Sequence, residues 1–164
     1  MKLDNAVQEY YPEDSSTCFG CGRNNPDGLH IQSYWDGTQG ISRFRPKEHH
    51  MAYPGIVYGG ILASLVDCHS IGTAIAAMYE QAGYLPGDGP TIMCVTGQLN
   101  VSYRKPTPLG VELVAKAAPI EVTERKAIVH CDVFAGETLV VHGEVVAVRV
   151  KSSAAVDGHH ASGL

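Results

Sequence analysis

The sequence predicts an α+β fold, in which one long buried helix is wrapped by an antiparallel sheet of about five to six strands. Three observations predict it. Residues Gly59 to Tyr84 carry apolar side chains at a spacing of three to four, the period of a helix. Four later runs, Thr91 to Tyr103, Val111 to Val122, Lys126 to Phe134 and Thr138 to Val150, are rich in Val, Ile and Thr, which favour extended backbone. Gly and Asp punctuate these runs, as in Ala135-Gly136-Glu137, so successive strands fold back on one another.

The elements follow in order. Residues 1–26 form a lead-in, with Tyr10, Tyr11 and Pro12 ending a brief helix and Ser15 to Pro26 rich in turn formers. A first strand spans Gly28 to Trp35, Asp36-Gly37 makes a tight hairpin, and Gly40 to Arg45 returns with Ile41 and Phe44 as apolar anchors. A loop from Pro46 to Pro54 carries His49, His50 and Tyr53. In the long helix Ile61, Leu62, Leu65, Val66, Ile71, Ile75, Ala76 and Met78 leave few polar sides, so the helix is central to the fold, and Gly83 and Pro86 mark its end. The folded domain then runs over 27–151, and the Ser-, Ala-, Gly- and His-containing stretch 152–164 is expected to be disordered.

Composition limits the function classes. A chain of 164 residues with 45% apolar and 18% charged residues suits one domain with a sizeable core. A net charge of −5 without a basic stripe argues against nucleic acid as a partner. No uninterrupted apolar run reaches the roughly 20 residues of a membrane span. Met1-Lys2-Leu3-Asp4-Asn5 lacks an apolar signal core. No membrane partner and a cytoplasmic location are therefore expected. Five cysteines, an odd count, suit reduced thiols. Cys18 and Cys21 supply half the ligands of a structural zinc site, and His30, His49 and His50 complete no standard spacing, so no metal and no bound cofactor are expected. Cys68 follows Asp67 directly, pointing about 100° away around the helix, and reads as a small packed residue.

The chemistry concentrates in the run Tyr53-Pro54-Gly55-Ile56-Val57-Tyr58-Gly59-Gly60-Ile61-Leu62-Ala63-Ser64-Leu65-Val66-Asp67. A Gly-Gly pair at a helix start leaves backbone N–H groups approachable from outside. With the positive end of the helix dipole, the Gly60 N–H can hold a developing oxyanion. Asp67 is a lone carboxylate in an apolar helix pattern. Burial of such a group is costly, so it faces a cavity or a partner. Together these features suggest carbonyl chemistry. Tyr58 and Gly59, beside the oxyanion position, and His50 in the preceding loop are candidates for substrate contact.

The order of elements, with Tyr58-Gly59-Gly60 before the helix, resembles the hotdog fold, and more specifically the PaaI-type acyl-CoA thioesterases of the 4-hydroxybenzoyl-CoA thioesterase superfamily. Cys18-Phe19-Gly20-Cys21-Gly22 with Asn25-Pro26 and Gly28-Leu29 is similar to the lead-in of one branch, and Pro54 to Gly60 is similar to the PGxxHGG signature. Thr96-Gly97-Gln98-Leu99-Asn100-Val101-Ser102-Tyr103-Arg104-Lys105-Pro106 resembles the strand that follows the helix. The resemblance implies Asp67 as the catalytic carboxylate, Thr96 as the hydroxyl that positions water, and an acyl-CoA substrate. Tyr58 stands where the family carries His; its hydroxyl still donates a hydrogen bond but reaches further. Arg104 and Lys105, a charge pair at a strand end, are candidates for the phosphates of coenzyme A.

One consequence is geometric. Gly60 and Asp67 are seven residues apart, about 10.5 Å along one helix at 1.5 Å per residue. One carbonyl cannot reach both at about 3 Å. A site using both draws them from different subunits, which predicts a homodimer or a dimer of dimers. Two routes stay open for Asp67: base on a water, or direct nucleophile. Two other readings also stay open. One is a non-catalytic acyl-CoA binding module, motivated by Tyr58; the other, ranked lower because no His stands at the helix start, is a hotdog enoyl-CoA hydratase.

Overall fold

A six-stranded antiparallel sheet lies against a single long helix in the structure, a computed structural model that describes residues 1–150. The strands are β1 (Tyr34–Trp35), β2 (Gly40–Phe44), β3 (Cys94–Tyr103), β4 (Leu113–Val122), β5 (Lys126–Ala135) and β6 (Thr138–Arg149), and the helix is α1 (Gly59–Ala82). They are ordered β1-β2-β4-β5-β6-β3 across the sheet. This is the expected hotdog arrangement, with α1 between β2 and β3 in the chain. The expected tail, 152–164, lies outside the described residues.

Alternation along the strands explains the layering. Leu113, Ala115 and Ala117 of β4, Ala127, Val129, Cys131 and Val133 of β5, and Val141, Val145 and Ala147 of β6 are fully buried under α1. Many of these are alanines, and two glycines complete the contact. A Cβ on Gly143 of β6 would stand 2.3 Å from Val66 Cγ1, and one on Gly40 of β2 would stand 2.0 Å from Thr73 Oγ1. The helix therefore rests almost on the sheet backbone. Leu65, Val66, Ala74, Ile75 and Ala76 are buried at 0–1% exposure. By length and composition α1 is long and apolar enough to cross a membrane, which the search for an uninterrupted apolar run does not reveal. In this fold 78% of its most apolar window is buried.

Element ends differ from the sequence reading for local reasons. α1 stops at Ala82 rather than Tyr84, because Gly83 turns left-handed (φ 78°) and donates its N–H back to Tyr79 and Glu80. The β5–β6 hairpin turns on Gly136 (φ 60°). The first strand is only Tyr34–Trp35, not Gly28 to Trp35. His30 takes a positive φ of 54°, which breaks the extended run. The residues before Tyr34 instead bond to the lead-in: Leu29 to the Phe19 carbonyl, Ile31 to the Gly20 carbonyl, and Val7 to the Ser33 carbonyl. The brief N-terminal helix is a 3-10 turn over Val7–Tyr10. Leu3, Ala6, Val7 and Tyr11 are buried, so the lead-in is part of the core.

A buried polar chain fastens these layers. Gln8 Nε2 donates to Ser33 Oγ at 3.2 Å, Ser33 Oγ meets His69 Nδ1 at 2.8 Å, and His69 Nε2 meets the Gly40 carbonyl at 3.2 Å. A carbonyl only accepts, so Nε2 carries the proton and Nδ1 accepts from Ser33. His69 is fully buried, and this burial pushes its pKa down to about 4, against the bonds to the Gly40 and Ala115 backbone.

The folded imidazole thus titrates below its ordinary value of about 6.5. Protonation favours the unfolded chain, so the contribution of His69 is intact above pH 6.5 and is lost as pH falls towards 4. Thermal melts across this window are expected to show the protein losing on the order of 3 kcal/mol. The His69→Gln variant, less stable at neutral pH, is expected to lack that slope.

Candidate active site

Asp67 sits two turns into α1 at a half-buried position. Its Oδ1 accepts a 2.5 Å hydrogen bond from the Thr96 hydroxyl. Thr96 precedes a bulge: it pairs with Ala147 while Gln98 pairs with Val146, leaving Gly97 unopposed. The extra residue shifts the alternation of β3, so that Thr96 and Tyr103, seven positions apart, both face α1. Burial raises the Asp67 carboxyl above the ordinary carboxylate range, while the Thr96 bond pulls the other way. The pair is a carboxylate made more basic by burial beside an oriented hydroxyl, a suitable arrangement for holding water and taking its proton.

The other half of the predicted site lies at the N-terminus of α1. Gly59 and Gly60 open the helix, and the Ile61 and Leu62 amides are already bonded to the Tyr58 carbonyl. As first-turn residues Gly59 and Gly60 have no intrahelical acceptor for their N–H groups. The exposed Tyr58 ring lies over Gly60, where an added Cβ would come within 2.4 Å of Tyr58 Cε1. From the far end of β3, Tyr103 donates its hydroxyl to the Gly59 carbonyl at 2.8 Å. Tyr103 is the residue that sequence reasoning left out of the site. Its signal is its place at the close of the strand, facing the Gly-Gly pair only once β3 lies along α1.

Within one protomer these halves stay apart, because both stand on one straight helix. Thr96 joins Asp67, Tyr58 and Tyr103 join Gly59-Gly60, and the other candidates sit around them. His50 is buried in the loop before α1. Its ring stacks on Phe44, its Nδ1 accepts the Lys47 N–H at 3.0 Å, and its carbonyl accepts the Tyr58 amide at 2.8 Å. Burial, with His49 and Lys47 nearby, holds its pKa below the ordinary imidazole value. The His50 ring thus supports the loop, and its backbone positions Tyr58. Arg104 and Lys105 are exposed just beyond β3, held through their amides by the Val140 carbonyl, and have no ion-pair partner among the described residues.

Beside Asp67 the structure adds what the sequence reading separated. Cys68 turns to the lead-in, and its sulfur is 3.9 Å from that of Cys18. Hydrogen bonds from Cys21 and Cys68, and from the amides of Cys21 and Gly20, draw the Cys18 thiol pKa down against burial. The half-site of the sequence is a group of three sulfurs.

Comparison with known proteins identifies the family of this fold. The model of the thioesterase superfamily matches residues 54–142, from the loop before α1 into β6. A solved thioesterase superfamily protein from Shewanella loihica PV-4 is 41% identical, covers 74% of this chain and 91% of its own, and has a TM-score of 0.61. The acyl-coenzyme A thioesterase THEM4 of Xenopus laevis is 25% identical over 111 residues, 68% of this chain. The chain spans only 44% of that relative's length. A Streptococcus mutans UA159 protein solved with acetyl CoA shares the fold at 18% identity, over 69% of this chain and 82% of its own, with a TM-score of 0.57.

Because the Thr96 bond stabilises the charged form of Asp67, Thr96→Val is expected to raise the Asp67 pKa further above the carboxylate range. A carbon-13 titration of the Asp67 carboxyl reads this directly. An unmoved midpoint would show that the bond is not made in solution.

Proposed function

The chain belongs to the thioesterase superfamily, and on that premise we propose that it hydrolyses an acyl-CoA to a carboxylic acid and free coenzyme A at a site shared by two subunits. The observation that carries the reading is how β3 is tied to α1. Near its start Thr96 bonds Asp67, and at its end Tyr103 bonds Gly59. β3 is also the last strand of the sheet, and most of its ten residues are exposed on both faces. Val95, Leu99 and Tyr103 are apolar groups left open there. A long open edge of this kind is a template for strand pairing.

Antiparallel pairing of two copies of β3 about a two-fold axis midway between Thr96 and Tyr103 lays one strand's start beside the other's end. Asp67 of one subunit then faces the partner's Gly59-Gly60. This arrangement supplies what one protomer lacks, an oxyanion donor and a carboxylate at one carbonyl. In the reaction the Gly60 N–H takes up charge on the thioester oxygen, a contribution of about 3 kcal/mol by analogy with other such donors. Asp67 removes a proton from a water held with Thr96 and the tetrahedral intermediate collapses to the acid and the coenzyme A thiolate, or Asp67 attacks the carbonyl itself, the thiolate leaves, and water then hydrolyses the resulting acyl-aspartyl anhydride to the acid and free Asp67. Tyr58 and Gly59 line the acyl side, His50 holds their loop, and Arg104 and Lys105 meet the phosphates of coenzyme A. The acetyl CoA held by the Streptococcus mutans relative is consistent with such a ligand.

Purified protein is expected to release free thiol from acyl-CoA thioesters, followed with a thiol dye. Asp67→Asn is expected to lower kcat by at least about 100-fold while leaving the circular dichroism spectrum intact. Unchanged turnover would remove Asp67 from the reaction. Saturable acyl-CoA binding without thiol release across a broad panel would replace hydrolysis with a binding role.

The shared site has a test of its own. Gly60→Pro deletes the amide donor in the first turn, where proline is tolerated, and moves the exposed Tyr58 ring aside, so it disables the oxyanion half of the site. Gly60→Pro and Asp67→Asn are each expected to be inactive. Co-expressed, they are expected to recover about one quarter of the wild-type activity, because half the dimers are mixed and each mixed dimer has one intact site. No recovery from a mixture shown to contain mixed dimers would place the whole site in one subunit.

A further inference from the structure

The lead-in meets α1 at three thiols that the proposed thioester chemistry does not use. Cys18 and Cys21 stand on one turn, Cys68 comes from the helix, and the three sulfurs lie within 4.8 Å of one another. Those of Cys18 and Cys68 are 3.9 Å apart. Two thiolates on one tetrahedral zinc ion, each about 2.3 Å from the metal, stand about 3.8 Å apart. The cluster thus has the dimensions of a coordination shell, needing at most about 1 Å of closure.

The surrounding backbone is shaped for this approach. A Cβ on Gly20 would stand 2.2 Å from the Cys68 sulfur, so only glycine lets the helix thiol reach the pair. The Gly22 N–H closes the turn onto the Cys18 carbonyl at 2.8 Å, and a Cβ on Gly22 would meet the Cys18 amide at 2.5 Å. The turn is anchored on both sides: the Phe19 and Gly20 carbonyls accept the Leu29 and Ile31 amides, and the Ser16 carbonyl accepts the Asn24 amide. Cys21 and Cys68 are buried and Cys18 is exposed, so the cluster opens to solvent on one side.

Three sulfur donors select a thiophilic cation over Mg²⁺ or Ca²⁺. A disulfide between any two leaves the third unused, whereas a cation engages all three. We propose that Cys18, Cys21 and Cys68 bind one Zn²⁺ per chain through three thiolates, with a solvent-facing fourth position taken by water. The ion pins the lead-in to α1 one residue from Asp67. This site stands independently of the thioesterase reading.

The test uses the full chain, freshly reduced. Titration with Zn²⁺ against a chromophoric chelator is expected to give one ion per chain, and titration with Cd²⁺ to give the ultraviolet charge-transfer band of thiolate coordination. Zn²⁺ is expected to raise Tm. Cys18→Ser, at the exposed position, is expected to keep the fold while weakening Zn²⁺ at least about 100-fold and diminishing the Cd²⁺ band. Tight binding unchanged in Cys18→Ser would assign the ion to other ligands and overturn the proposal. So would the absence of a Cd²⁺ band, or loss of two thiols to a disulfide in protein that takes up no metal.

Discussion

A helix of 24 residues rests nearly on the backbone of the sheet, and the rest of the molecule depends on that closeness. It is possible because the sheet presents Gly40, Ala115, Ala117, Ala127, Gly143 and Ala147 where the helix crosses. Larger side chains there would lift α1 away, and interiors packed to crystal density do not absorb such a change without strain. At this separation Val66 fills the space over Gly143, which fixes the rotation of α1. With that rotation set, Asp67 points to β3, Cys68 to the lead-in and His69 to Ser33 and the Gly40 carbonyl. Three consecutive residues thus serve three different neighbours.

β3 translates the helix position into chemistry. Hydrogen bonds near its two ends tie it along α1, with Thr96 on the carboxylate and Tyr103 on the Gly-Gly turn. The bulge at Gly97 lets both bonds form, since regular pleating would put residues seven apart on opposite faces of the strand. The strand leaves its other edge open, and a second copy placed there antiparallel would exchange the two ends. Intrahelical distance separates donor from carboxylate, and strand antiparallelism offers the means to reunite them. The functional proposal rests on that combination.

The lead-in belongs to the same mechanical unit. Gln8 and Ser33 extend the His69 hydrogen-bond chain outward, while the turn at Cys18 to Gly22 presses two thiols against Cys68. The two residues that follow Asp67 along the helix are therefore held by the lead-in and the segment before β1. A carboxylate raised above its ordinary range by burial is useful only if the walls around it stay in place, and these contacts hold one of the walls.

Much of the fold is legible in the sequence because its signals are local. The apolar period over Gly59 to Tyr84, the Val- and Thr-rich runs and the glycine turns each act within a few residues, and they suffice for one central helix and its strands. The Gly-Gly helix start and the lone Asp67 are equally local, as is the seven-residue gap that sets them about 10.5 Å apart. What the sequence does not determine are matters of direction and partnership. His30 ends the first strand early through a backbone angle that no composition signals. Tyr103 meets Gly59 and Cys68 meets Cys18 across 44 and 50 residues of chain. His69 is pushed down to about 4 by enclosure that exists only in the folded state. Side-chain type and spacing follow from the order of residues; which side chains face each other follows from how closely the helix settles on the sheet, and only the tertiary structure decides that.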